Sequence, residues 1–375
     1  MSSRKKKTVI ASACILFAIV VVFVCVYFVS VRSKHYDIEY NSDFEYAEIS
    51  AVLEGAEKVL GNTYENMTLP DKLNIAQGEK LYVISACALG DADSKNNIKK
   101  LCKTVAGVEP DTLTPAVSDP EDYDAEAVND FAPWSFSYYD NNSFNFYYIN
   151  ADLDNTTYSY EKSHKVAMED ISGVSYKLFG EEYSIEQAVK FTENYIRNNL
   201  SEFMPDTDDV RAQEVFVFKN GDGYDYSILL QHMVDGFPIS TTGAVALDSG
   251  YMRGQLLQVK IARPDIINTL SNRLYCKFKE KKEVDEIITL ESALDYLEGY
   301  LAPNSQYEIS EITLEYCAKC DDYNDYDFEY RPTWCFTIGE YQGDIATLRP
   351  KKMLYVDAVS GEVYCYDSEL NTFIF

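Results

Sequence analysis

The sequence predicts an α+β fold behind a single membrane-spanning helix, and three observations predict it. They are a long uncharged apolar run near the start, an internal repeat of a capped helix followed by β-patterned segments, and an acidic, tyrosine-rich remainder. The 375 residues carry 33 basic and 61 acidic side chains, a formal charge of −28. At roughly 150 residues per domain the length suggests two or three domains. A field of this sign repels phosphate backbones, so no nucleic acid is expected as a partner. The 31 tyrosines suit half-exposed strands.

The apolar run is Thr8–Val31, without a charge. As a helix it would reach about 36 Å, enough for a hydrocarbon core of roughly 30 Å. Arg4-Lys5-Lys6-Lys7 precede it, and the acidic bulk follows. The positive-inside rule then keeps 1–7 as a cytoplasmic tail, makes 8–31 an uncleaved signal anchor, and exports everything after it. The expected location is the cell membrane, single-pass, with the bulk of the chain extracytoplasmic. A cleaved signal peptide fits less well, because its apolar region runs to only about 7–15 residues.

Residues 32–176 form the membrane-proximal α+β region. Phe44–Leu60 has helical spacing in Ile49, Val52, Leu53, Ala56 and Leu60. Lys80–Leu89 is apolar without a deciding period, and Ser94–Val105 reads as helix. Pro110–Asp130, rich in Pro, Asp, Glu and Thr, reads as a solvated loop. An aromatic hairpin follows. Trp134, Phe136 and Tyr138 alternate, Asp140–Ser143 turn, and Phe144, Phe146 and Tyr148 alternate back. Cross-strand aromatic pairs stabilise sheets, and the same ribbon could also stack on glycan.

The repeat lies in 177–278 and 279–375. SIEQAVKFTENYI from Ser184 and TLESALDYLEGYL from Thr289 align without a gap. Each opens on a Ser or Thr cap, and the first adds a capping box to Gln187. Apolar positions correspond: Ile185/Leu290, Ala188/Ala293, Val189/Leu294 and Ile196/Leu301. Strand-like segments follow: 214–218, 224–233 and 254–262 in the first copy, and 308–316, 333–338, 352–357 and 362–367 in the second. In the second copy Trp334 and Phe336 share a face with Val356 and Val363 across a turn, Asp357-Ala-Val-Ser-Gly361, where glycine supplies positive φ.

That second copy resembles PepSY-type domains. The motif is Pro332-Thr-Trp334, then Tyr355-Val-Asp-Ala-Val-Ser-Gly361-Glu-Val363. It is most similar to the membrane-anchored YycH/YycI proteins and the spore protein YpeB. In the first copy Leu230–Ile239 is similar to a strand and turn of the same superfamily, while Leu247-Asp-Ser-Gly250 is a degraded form of the turn. The resemblance implies two tandem PepSY-like modules, each a helix packed on an antiparallel sheet. It implies no catalytic residues. The implied function is a membrane-anchored extracytoplasmic regulator touching a sensor kinase, a peptidase or a cell-wall hydrolase. Its partners would be a membrane protein or exported enzyme, and the membrane through Thr8–Val31. The alternative is a surface protein binding glycan or peptide through tyrosine-rich sheets. Trp334, Asp357 and Gly361 are the matching positions, read as core anchor, turn carboxylate and positive-φ glycine.

The sequence shows no motif for an enzyme: no GxSxG, HExxH, Walker loop or GxGxxG occurs. Cys14 and Cys25 lie in the apolar run, and Cys87, Cys102, Cys276, Cys317, Cys320, Cys335 and Cys365 lie beyond it. Cys317-Ala-Lys-Cys320 lacks a second ligand pair for zinc, and His35, His164 and His232 stand apart. The acidic stretch Asp321–Glu329 has hard oxygen ligands but lacks the glycine and glutamate of an EF-hand loop. No catalytic, cofactor-binding or metal-binding residue and no cofactor is therefore expected.

Overall fold

A computed structural model of the chain describes residues 41–88, 100, 103–104, 114–119, 122–128, 134–138, 144–148, 164–201, 209–246, 257–272, 276–303, 305–320, 327–342, 349–367 and 372–374. All of these fall in one compact unit, 41–375. It opens with β1 (Tyr46–Glu48), α1 (Ile49–Ala56), β2 (Met67–Thr68) and β3 (Leu81–Ala88). Four short strands follow, β4 (Thr114–Asp119), β5 (Asp122–Val128), β6 (Trp134–Tyr138) and β7 (Phe144–Tyr148). Next come β8 (His164–Val166), β9 (Ser175–Leu178), β10 (Glu181–Ser184) and α2 (Ile185–Asn199). The first long hairpin is β11 (Asp209–Asn220) and β12 (Gly223–Val234), continued by β13 (Phe237–Ala246), β14 (Leu257–Ile261) and β15 (Thr269–Asn272). The chain then runs through β16 (Cys276–Val284), β17 (Glu286–Ile288) and α3 (Leu290–Tyr300). It closes with β18 (Tyr307–Cys320), β19 (Asp327–Gln342), β20 (Arg349–Asp357), β21 (Val363–Asp367) and β22 (Thr372–Ile374).

Ladder pairings define two extended sheets. One runs β8-β11-β12-β14-β15-β7-β6-β5-β4, antiparallel throughout. The other runs β16-β3-β19-β18-β13, with β20, β21 and β22 continuing from the later part of β19. β13 belongs to both. Phe237 and Pro238 pair with β12, and from Ile239 onward the strand pairs in parallel with β18. The turn between β12 and β13 is Asp235-Gly236, with φ of 47° and 87°. This is the two-residue hairpin chemistry that suits the strand twist. A Cβ on Gly236 would sit 2.4 Å from the Gln77 carbonyl oxygen, so the neighbouring loop also demands glycine there.

α2 begins on the expected capping box. The Ser184 Oγ accepts from the Gln187 N–H at 3.1 Å and Gln187 Oε1 accepts from the Ser184 N–H at 3.0 Å. Its buried face, Ile185, Ala188, Val189 and Ile196, packs on an apolar core with Val215, Val217, Ile228, Leu230, Leu257, Val259, Ile261 and Leu270. α3 is capped by Thr289 Oγ1, which accepts from the Ser292 N–H at 3.2 Å, and buries Leu290, Ala293, Leu294 and Leu297.

Two expectations are overturned. The α+β architecture of tandem helix-on-antiparallel-sheet modules gives way to a chain that is mostly β-sheet, with α1, α2 and α3 the α-helices named among the described residues. The second sheet is mixed, because β18 takes β13 and β2 as parallel neighbours. Strands also pair across the expected divisions, β3 with β16 and β19, and β7 with β15. The single-pass membrane location is the other correction. Among the described residues no helix is long and apolar enough to cross a membrane, and the Thr8–Val31 run lies outside them.

Local differences have local causes. Within Phe44–Leu60 only Ile49–Ala56 is α-helical, followed by a 3-10 turn over Glu57–Gly61. Pro110–Asp130 is no loop: it contributes β4 and β5, and Tyr123, Ala125 and Ala127 alternate with acidic residues in the period of a strand. Lys80–Leu89 resolves as β3. Apart from Lys100, Lys103 and Thr104, the segment Ser94–Val105 lies outside the described residues.

Candidate functional site

The motif residues of the second copy hold the fold together. Trp334 is completely buried, its indole N–H donating to the Ile288 carbonyl at 2.8 Å, and it pairs with Val356, which pairs in turn with Val363. Asp357 Oδ1 accepts from the backbone N–H of Val359 and Ser360 at 2.8 and 3.0 Å, while its other oxygen meets Arg331 Nη1 at 3.0 Å. Gly361 has φ of +75°, and a Cβ there would lie 2.4 Å from the Phe44 ring. All three have the structural roles expected of them. The aromatic hairpin pairs as read, Trp134 with Tyr148, Phe136 with Phe146 and Tyr138 with Phe144. Its side chains lie outside the described ones.

Sequence reasoning missed a buried polar seam. Along β18, Thr313, Glu315 and Cys317 alternate with Ile312, Leu314 and Tyr316, the pattern of a half-exposed strand. Both sets are buried. Burial pushes the Glu315 carboxyl up to about 7, against the opposing pull of hydrogen bonds from Ser240, Thr313 and Gln231; Glu311 adds to the rise. Thr313 Oγ1 donates to Glu315 Oε1 at 3.1 Å. Next to Gln231, burial drives His232 down to about 4. Cys317 and Cys335 bring their sulfurs to 3.6 Å as free thiols. Burial raises the Cys335 thiol, with Cys317 and Glu315 adding to the effect, so it stays protonated and is a poor nucleophile. The adjoining cavity, lined by Cys317, Lys319, Arg331, Thr333, Tyr355, Asp357 and Tyr364, measures about 10 Å³, room for about one water. This seam can hold a proton but offers no space for a substrate.

The other feature that sequence reasoning missed lies on the surface of α3. Tyr296 and Tyr300, one turn apart, are 38% and 42% exposed, and the Tyr296 ring lies 4.7 Å from that of Phe44. Around them stand Glu45, Glu291, Asp295 and Glu298, none of which forms an ion pair among the described residues. Burial, then Glu291, Glu298 and Glu45, raises the Asp295 carboxyl. Behind the helix, Tyr64 is 8% exposed, and among the described residues its hydroxyl has no well-formed hydrogen bond, Asn62 lying beside it. Burial, then Asp295, Glu291 and Glu298, raises its pKa, with Asn62 acting the other way. The spacing of two tyrosines among acidic residues was readable; which face of the helix would be left uncovered was not.

Among the described residues no group of three or more His, Cys, Asp or Glu is placed to hold a metal ion. Residues 321–326 of the acidic stretch lie outside them, while Asp327–Glu329 belong to β19.

No family model matches the chain, so the PepSY-like resemblance gains no support there, and no curated protein matches it. A solved structure does. It is an uncharacterized protein from Eubacterium rectale ATCC 33656, 16% identical, with a TM-score of 0.55 over 81% of this chain and 92% of that one. At that identity the likeness is one of fold alone.

Proposed function

We propose that residues 41–375 form a non-catalytic binding module that regulates another protein by direct contact, the target being a sensor kinase, a peptidase or a hydrolase. The observation that carries this reading is the surface of α3, where Tyr296 and Tyr300 stand exposed beside carboxylates without counter-ions. Tyrosine is over-represented where proteins bind, because it brings a large rigid ring and a hydroxyl at little entropic cost. Exposed aromatics grouped on one helix face mark a contact surface better than scattered ones.

The test is photocrosslinking in cells. A benzophenone amino acid placed at Gly299, where an added Cβ meets nothing within 4 Å, should give a discrete adduct with one protein. The same group at the exposed Lys177 should not. Identical adduct patterns from both positions, or none from Gly299, would refute the reading.

A further inference from the structure

The two copies of the repeat assign the partner's chemistry. Aligned without a gap, α2 and α3 place Glu186 with Glu291, Phe191 with Tyr296, Glu193 with Glu298 and Tyr195 with Tyr300. Two positions differ in charge: Lys190 becomes Asp295 and Arg197 becomes Ala302. In α2 the cation neutralises its surroundings. Arg197 donates to Glu193 at 3.2 Å, to Asp209 at 2.6 Å and to the Val210 carbonyl at 2.8 Å. α3 keeps the glutamate and the aromatic pair but has lost both cations.

From this we infer that α3 docks a lysine- or arginine-rich segment of a partner protein, its cation taking the place that Arg197 fills in α2. The inference rests on the contact surface proposed above and specifies what meets it. Three features favour a cation. The carboxylates Glu45, Glu291, Asp295 and Glu298 are grouped without counter-ions among the described residues. Tyr296 and Tyr300 present exposed rings, on which ammonium and guanidinium groups stack. Among the described residues Tyr64, more than nine-tenths buried, holds a hydroxyl without a well-formed hydrogen bond close to Asp295, Glu291 and Glu298, and Asn66 keeps an unpartnered Oδ1 while its amide donates to the Glu298 carbonyl at 3.0 Å. The exposed Asn62, donating to Glu291 at 3.1 Å, stands beside the Tyr64 hydroxyl. A guanidinium displacing that bond gives the hydroxyl a donor. On the neighbouring ladder Glu48 faces Glu286 directly, so acidity extends past the helix.

The experiment uses the full chain and a fluorescent twelve-residue peptide alternating lysine or arginine with serine, against its glutamine counterpart, read by anisotropy. The basic peptide should bind and the neutral one should not. Asp295→Lys, which restores the charge of α2, should weaken binding about tenfold, as should moving from low salt to half-molar salt. Tyr296→Ser and Tyr64→Phe, both surface or isosteric changes, should each weaken it a few-fold. Equal binding of both peptides, absence of binding at millimolar basic peptide, or indifference to Asp295→Lys would overturn the inference. Binding seen only after deletion of residues 1–7 would overturn it too, since the occupant would then be this chain's own Arg4–Lys7. A discrete Gly299 adduct whose partner contact ignores salt and Asp295→Lys would leave the contact reading standing while removing its cationic chemistry.

Discussion

α2 and α3 begin from one sequence pattern and end in different electrostatic states. α2 is tied down: Glu193 accepts from the Ala212 N–H at 2.8 Å, Arg197 bridges to Asp209, and Phe191 and Tyr195 lean half-buried on the apolar core. In α3 the matching aromatics are partly exposed, and the matching Glu298 likewise accepts from a backbone N–H, that of Glu65 at 2.5 Å, but meets no cation among the described residues. The sheets beneath differ as well. The α2 core joins Tyr183 and Tyr226 to Val, Ile and Leu, whereas the core beneath α3 centres on Trp334; both sheets also bury polar groups, Glu214, Asp225 and Gln231 in one and Glu315 and Asp357 in the other. A repeated module thus keeps its scaffold while one helix balances its charge and the other leaves carboxylates without cations. Surplus charge costs stability, so its concentration on one helix points to where the protein meets something else.

The largest effect expected in this contrast is at Trp334. Trp334→Ala should destabilise by about 4 kcal/mol, with a loss of about 3 kcal/mol for Ile228→Ala in the other core; urea unfolding followed by fluorescence measures both. A smaller loss at Trp334 would mean that the two cores are not separately important.

The pH dependence comes next. Glu315, held near 7 by burial against an ordinary 4.5, contributes stability that is complete below about pH 4.5 and is lost as pH rises through 7. His232, lowered to about 4 from 6.5, contributes stability that is complete above about pH 6.5 and is lost as pH falls through 4. The two slopes oppose each other across the shared window. Relative to the parent, Glu315→Gln should therefore gain about 3 kcal/mol between pH 4.5 and 7. His232→Gln should lose about 3 kcal/mol relative to the parent as pH rises from 4 to 6.5. Stability differences that stay constant across those windows would show that neither group titrates in the folded chain.

Smaller effects test the helices. Arg197→Met should cost about 1 kcal/mol, since the guanidinium is partly exposed and screened. Asp295→Lys should stabilise by a few tenths of a kcal/mol, relieving like-charge repulsion one turn from Glu291 and near Glu298. Loss of stability on that change would contradict the unpaired state of the α3 carboxylates. Thermal melts in low salt read both.

What could be read in advance follows from how local the signal is. The Ser184 capping box, the turn ending in Gly361, and the registers Trp334–Val356–Val363 and Trp134–Tyr148 are written within a few residues of themselves. The seam at Glu315 is not. Thr-Leu-Glu-Tyr is indistinguishable from a half-exposed strand until Ser240 arrives on the neighbouring β13 and Gln231 on β12 of the other sheet. β3 joining β16 and β19, and β7 joining β15, likewise depend on distant partners, so a division of the chain into consecutive segments had no local contradiction. The strands β4 and β5 were legible in the alternation Tyr123, Ala125, Ala127, but composition outweighed period in the reading of that stretch.

β13 leaves one sheet for another within two residues, and this fixes an order of assembly. Ile239 pairs with Tyr316, and Ala246 with Cys320. During synthesis the far half of β13 therefore emerges long before the strand that will lie beside it. Until residue 320 has left the ribosome, that half presents unpaired peptide groups, the kind of edge that invites association between chains. Distant parallel pairing also closes slowly. The protein is thus most exposed to aggregation in the interval between translating β13 and completing β18, and a stall introduced in the codons of that interval should lower soluble yield more than one placed after residue 320.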